Sequence, residues 1–251
     1  MALQKKLLVI IIIPVIICLS QKRYSVAGED WQLNDNLTEI SDADEIELGK
    51  QVDAYIRRQF EIENDPERNT AVNGITQRLV TVSDRKALPF ACDIIQSNSI
   101  NAFSAPGGHI YLTDGLLQFT KSEDEMAGII GHEIAHASLR HVSKLYHEVM
   151  GYISNRGNGT DTTAVLLLLN NRLEEFEQDA DTVGVLYAYK AGFDPDGLPD
   201  FLERHLDLLL HNGIFGLLRF DSYITISVRI NHLREYISTL IKQEQNSFYS
   251  K

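Results

Sequence analysis

Two histidines four residues apart, with a glutamate after the first, make His132-Glu133-Ile134-Ala135-His136 an H-E-x-x-H segment, and its chemistry depends on the segment being helical. In a helix, residues i and i+4 lie on one face, so both imidazoles can reach one ion at about 2.0–2.1 Å. Glu133 lies one residue round from His132, close enough to take a proton from water beside that ion. Zinc brings the pKa of such water down to about 7, which makes a nucleophile available at neutral pH. The competing reading is a helix that holds two histidines by chance. With eight histidines in the chain, a chance match arises at the level of about a few per cent. The flanking Ile129, Ile130, Ile134 and Ala135 are apolar, so buried polar groups among them need a partner. A bound cation supplies one.

A catalytic zinc takes three protein ligands. Metzincin spacing would place Gly at position 139 and His at 142. The chain has Leu139 and Val142, which leaves His141 out of register. The acidic run Glu174-Glu175-Phe176-Glu177-Gln178-Asp179-Ala180-Asp181 offers instead a glutamate from a second helix. Glu174, Glu177 and Asp181 share a face there. Such runs are more often solvated helix surfaces. Ala180 and Asp181 behind Glu177, followed by apolar Val183, Val185 and Leu186, single out Glu177.

The elements that position these residues can be read from caps and periodicity. Ser41 with Asp44 resembles a capping box, after which Leu48, Val52, Tyr55, Ile56 and Phe60 recur at helical spacing. Asp65 before Pro66 starts a second helix, with Val72, Ile75, Leu79 and Val82 on one face. Segments 90–96 and 102–112, the latter broken by Pro106-Gly107-Gly108, read as strands of a small sheet. Ser122 with Glu125 opens the helix that carries His132 and is predicted to run beyond His141. A polar loop over 155–163 and a helix over 164–188 follow, the latter ended by Gly192 and Pro195. Further helices are predicted over 199–242, with a break at Gly213 and Gly216. The absence of an internal repeat argues against a solenoid. The fold class expected is α+β, mainly helical, with a small sheet beside the active-site helix.

Glu177, Ala180 and Asp181 form an E-x-x-A-D arrangement behind H-E-x-x-H that resembles the HtpX- and BepA-like zinc metallopeptidases, relatives of the CAAX prenyl proteases. The likeness extends to Glu47-x-Gly49, Asn101-Ala102-Phe103, Pro106-Gly107-Gly108-His109-Ile110-Tyr111, Gly115-Leu116-Leu117, residues 123–141 and Ala191-Gly192-Phe193-Asp194-Pro195. It implies a zincin-like domain over 41–251 with one Zn2+ per chain on His132, His136 and Glu177, and Glu133 as general base. Asp181 would then orient a ligand imidazole or donate a proton. The strand around Gly108, His109 and Ile110 would be an edge along which an extended polypeptide substrate lies, paired through its backbone. A plain turn at Pro106-Gly107-Gly108 is compatible with that reading.

The chain departs from the family at one place. Where the family has a His-Pro pair six residues ahead of an arginine, this sequence has Tyr223-Ile224 ahead of Arg229. Tyr223 reads equally as a phenol that donates to a developing oxyanion and as a core residue. Arg229 reads as a charge near the site or as a helix cap.

Residues 1–27 place Lys5 and Lys6 before an apolar run from Leu7 to Leu19, then Ser25-Val26-Ala27. This predicts a secretory signal cleaved after Ala27, or a short anchor if retained. Membrane association would go through this segment, although the run is short of the roughly 20 residues that span hydrocarbon. Residues 28–40 read as an extension. Cleavage would remove Lys5, Lys6, Lys22 and Arg23 and no acids, taking the formal charge from -12 to -16. A chain this acidic excludes nucleic acid as a partner. Cys92 alone would remain, which excludes an intramolecular disulfide. The expected location is exported, in the periplasm or on the periplasmic face of a membrane. The resemblance implies a zinc-dependent endopeptidase that cleaves polypeptides, with unfolded or misassembled envelope proteins as substrates in protein quality control. The alternative is a zinc-stabilised periplasmic chaperone or assembly factor with little hydrolysis, suggested by the missing His-Pro pair and opposed by the presence of Glu133.

Overall fold

Three helices start at the capping residues that predict them. Ser41 Oγ accepts the backbone N–H of Asp44 at 3.2 Å and opens α1, Asp42–Gln59. The Asp65 carboxylate accepts from the N–H groups of Glu67 and Arg68, and Pro66 occupies the first position of α2, Pro66–Val82. Ser122 accepts from Glu125 at 3.2 Å and opens the helix that carries the H-E-x-x-H segment. The computed structural model describes residues 24–26, 29–31, 41–145, 148, 162–211 and 220–249, with side chains over 41–145, 148, 172–211, 226–244 and 246. The predicted signal and extension lie outside these residues apart from an antiparallel pair, β1 (Tyr24–Val26) and β2 (Glu29–Trp31). The predicted 155–163 loop, up to residue 161, and the Gly213/Gly216 break also lie outside them.

The sheet consists of β3 (Ala91–Ile95), β4 (Ala102–Ala105) and β5 (His109–Thr113) in the order β3-β5-β4. β5 runs parallel to β3 and antiparallel to β4. This corrects one expectation. β5 is the central strand, hydrogen-bonded on both sides, so His109 and Ile110 offer a substrate no free edge, and Gly108 lies in the turn before them. The chain reverses within Pro106–Gly108, where Gly107 and Gly108 take φ of 76° and 90°, and β5 folds straight back on β4. The edge beside the H-E-x-x-H helix is therefore β4. Helix α1 seats on this turn: a Cβ at Gly49 would lie 2.3 Å from the Pro106 carbonyl oxygen. That steric limit gives the Glu47-x-Gly49 pattern a physical reason.

Alternation along the strands divides the core. Phe103, Ala105 and Tyr111 pack under α1 with Leu48, Val52 and Ile56, whereas Cys92, Ile94, Ile110 and Leu112 face the larger cluster built by the other helices. After β5 come α3 (Asp114–Phe119), α4 (Glu123–Ser138), α5 (Thr162–Lys190), α6 (Gly197–His211) and α7 (Phe220–Tyr249). The result is a mainly helical α+β architecture. Among the described residues no helix is long and apolar enough to cross a membrane.

Helix α4 is buried along most of its length and packs most extensively on α5. The two backbones touch. A Cβ on Gly131 would lie 2.7 Å from the Gly184 carbonyl oxygen, and one on Gly184 would lie 2.5 Å from the His132 nitrogen. Any side chain at that crossing would push the two helices apart. Contrary to expectation, α4 stops at Ser138 instead of running past His141. Arg140 adopts φ 56°, and helical turns resume over 141–145. A left-handed arginine is uncommon. Here Arg140 pairs with Asp42 of α1, and Arg85 donates to the Ala137 carbonyl at 2.7 Å, which satisfies a terminal acceptor of α4.

Candidate metal centre

His132 and His136 emerge from one face of α4 with their Nε2 atoms 3.0 Å apart. Glu177, on α5, places Oε2 3.6 Å from His132 Nε2 and Oε1 3.4 Å from His136 Nε2. Among the described residues this is the one group of three metal-binding side chains whose ligand atoms all lie within 4.8 Å of one another. Ligands at about 2.0–2.1 Å on a tetrahedron stand about 3.3–3.4 Å apart. The two ring nitrogens stand 3.0 Å apart and each meets one oxygen of the Glu177 carboxylate at 3.4–3.6 Å, close to that value, so two imidazoles and a carboxylate fit a small divalent ion. Three lone-pair donors that converge in a largely buried place otherwise repel one another.

Asp181 follows Glu177 by four residues on α5 and is fully buried, with Oδ1 2.9 Å from His132 Nδ1. Arg229 of α7 grips it twice: Nε donates to Oδ2 and Nη2 to Oδ1, both at 2.7 Å. The third guanidinium nitrogen, Nη1, lies 2.8 Å from Glu177 Oε2. Burial by itself would raise both carboxylates, but the Arg229 guanidinium and the histidines hold Glu177 and Asp181 below their ordinary range. Burial likewise opposes charge on His132, yet contact with Asp181 and then the Glu177 charge moves it upward. Arg229 lies within α7, on the two carboxylates and away from any helix end. Glu133 is buried on α4, and its charge is felt at both His132 and Arg229. The backbone of Tyr223 belongs to the first turn of α7; its side chain lies outside the described ones.

His141 belongs to this centre, although metzincin spacing leaves it out of register. Its Nδ1 lies 2.9 Å from His136 Nδ1, and its ring stacks on Phe176, the residue before Glu177, at 4.2 Å between centroids and 7° between planes. Burial, followed by the neighbouring His136 and Lys144, pushes His141 down to about 3. Register alone could not find it, because the break at Arg140 turns the chain between the second ligand and His141.

Residues 66–239 match the model of Peptidase family M48. The chain belongs to peptidase family M48. The match opens at the first residue of α2 and closes within α7, so it takes in the sheet and every residue of the M48 metal centre described above. Among the relatives of this M48 chain is the beta-barrel assembly-enhancing protease of Escherichia coli K12, 26% identical over 188 residues, which are 67% of this chain and 39% of that one. A second is the mitochondrial metalloendopeptidase OMA1 of Schizosaccharomyces pombe, 29% identical over 143 residues, or 53% of this chain and 42% of that one. The Arabidopsis thaliana protein of the same name is 33% identical over 125 residues, covering 44% and 24% of the two chains. The chain thus spans about two fifths or less of the length of these curated relatives.

Proposed function

We propose that the chain is a zinc-dependent endopeptidase of the M48 family that cleaves polypeptides of the bacterial envelope. The convergence of His132, His136 and Glu177 at tetrahedral spacing beside a buried glutamate carries this reading. Two imidazoles and one carboxylate are a ligand set that suits zinc and leaves a fourth position open for water or substrate. Zinc held there supplies Lewis acidity, which acidifies water and polarises a carbonyl. Glu133 takes the proton as water attacks the scissile carbonyl, and passes it to the departing amine. Asp181, clamped by Arg229, holds the ring of His132 so that Nε2 keeps its lone pair towards the ion. A chaperone with little hydrolysis would have no use for a general base in the place of Glu133.

Among the described residues the outer edge of β4, Ala102–Ala105, pairs with no further strand and lies beside α4, which suits an extended substrate that adds a strand there. A periplasmic location is inferred from residues 1–27, whose Lys5, Lys6 and apolar run read as a secretory signal. The test is hydrolysis of casein by purified protein, with zinc content measured on the same sample. Activity should vanish with a chelator and return with zinc; activity indifferent to chelation would overturn the metal mechanism.

Tyr223 is proposed as a donor to the oxyanion formed at the scissile carbonyl. Tyr223→Phe should then lower kcat with little change in KM, by about 2–4 kcal/mol in barrier height. Wild-type turnover in this variant would end the proposal.

A further inference from the structure

We propose that His141 is a positioning residue for the metal ligand His136, a role that rests on the metal-centre reading above. His136 must offer its Nε2 lone pair to the ion, because Nε2 is the atom that faces His132 Nε2 and Glu177. A neutral imidazole carries its one proton on the other nitrogen. The proton of His136 therefore sits on Nδ1 and points at His141 Nδ1, 2.9 Å away. His141 must accept there, which places its own proton on Nε2. That Nε2 is buried and without a hydrogen-bond partner among the described residues. A buried donor left unpaired is destabilising, so the ring has a poor reason to be a histidine unless Nδ1 offsets that loss. Stacking on Phe176 fixes the plane of His141, and Phe176 immediately precedes the third ligand. One ring thus sets the rotation of His136 and braces the segment that presents Glu177.

The two ligand histidines are held by different chemistry. His132 faces an anion, Asp181, itself tied to Arg229, whereas His136 faces a neutral acceptor. A neutral acceptor fixes the tautomer without adding negative charge to the centre, so the ion keeps more of its Lewis acidity.

Two variants separate this role from packing. His141→Phe keeps a flat ring against Phe176 but has no acceptor; His141→Asn keeps an acceptor but loses the ring. The readouts are the zinc dissociation constant by chelator competition, the visible absorption of the cobalt-substituted protein, and kcat and KM. The Phe variant should bind zinc about 10–100-fold more weakly and show an altered cobalt spectrum, with kcat reduced more than KM is changed. The Asn variant should hold zinc more tightly than the Phe variant does. Equal zinc affinity in wild type and the Phe variant, or an Asn variant as weak as the Phe variant, would overturn the role of His141 alone. Wild-type protein that binds no zinc would remove the metal reading itself. Should the Phe variant fail to fold, His141→Ala takes its place in the comparison with Asn, with the same two outcomes.

Discussion

Glu133→Gln is expected to lower peptide hydrolysis by about a hundredfold or more while leaving bound metal unchanged. The side chain keeps its size, so the buried position on α4 stays filled. Lost is a basic oxygen able to accept the proton of the attacking water. The three atoms that converge on the ion come from His132, His136 and Glu177, and the carboxylate of Glu133 is not among them. Its charge acts on His132 and Arg229, but the substitution leaves all three donor side chains in place, so the ion is retained. Elemental analysis beside a peptidase assay checks both halves. Loss of zinc, or retention of activity, contradicts the role assigned to Glu133.

Glu177→Ala should behave in the opposite way and empty the site. It removes one of three protein donors and the anionic one, and a metal held by two imidazoles alone is held weakly. It also leaves Arg229 Nη1 without its 2.8 Å partner, although Nε and Nη2 stay on Asp181. A stability cost of about 1–3 kcal/mol follows from that lost contact. Glu174→Ala and Glu175→Ala serve as controls in the same helix. Both side chains are exposed, and Glu175 pairs with Arg172 at the surface, where solvent screens the contact. Zinc content and thermal unfolding of the three variants decide the matter. If Glu174→Ala strips the metal and Glu177→Ala does not, the ligand assignment is off by one helical turn.

The parts legible in the sequence are those fixed by local chemistry. Ser41, Asp65 and Ser122 mark helix starts because a side-chain oxygen three residues or fewer from an orphan N–H leaves little alternative. His132 and His136 share a face for the same local reason, and the i,i+4 offset of Glu177 and Asp181 brings both carboxylates to α4. What escaped reading is non-local. The order β3-β5-β4 depends on which strands meet across the chain, and periodicity cannot distinguish a central strand of this length from an edge. The stop of α4 depends on Arg140 being drawn to Asp42 of α1, far away in sequence. His141 becomes meaningful only after that stop. Arg229 stands out in the sequence by its spacing from Tyr223, but its double grip on Asp181 exists only once α7 folds against α5.

The guanidinium between Glu177 and Asp181 has a further consequence. It supplies positive charge to the buried Asp181 and the partly buried Glu177 whether or not an ion is bound, so the cradle does not need its cargo to stay in shape. Small zinc modules collapse when stripped because the ion is most of their stability. This chain has a continuous apolar core beneath the site and a permanent cation within it. The emptied protein should therefore persist as a folded, refillable form, stabilised further by zinc only through mass action. How much of the protein is active at a given moment would then follow the local supply of zinc, and can change without any new chain being made.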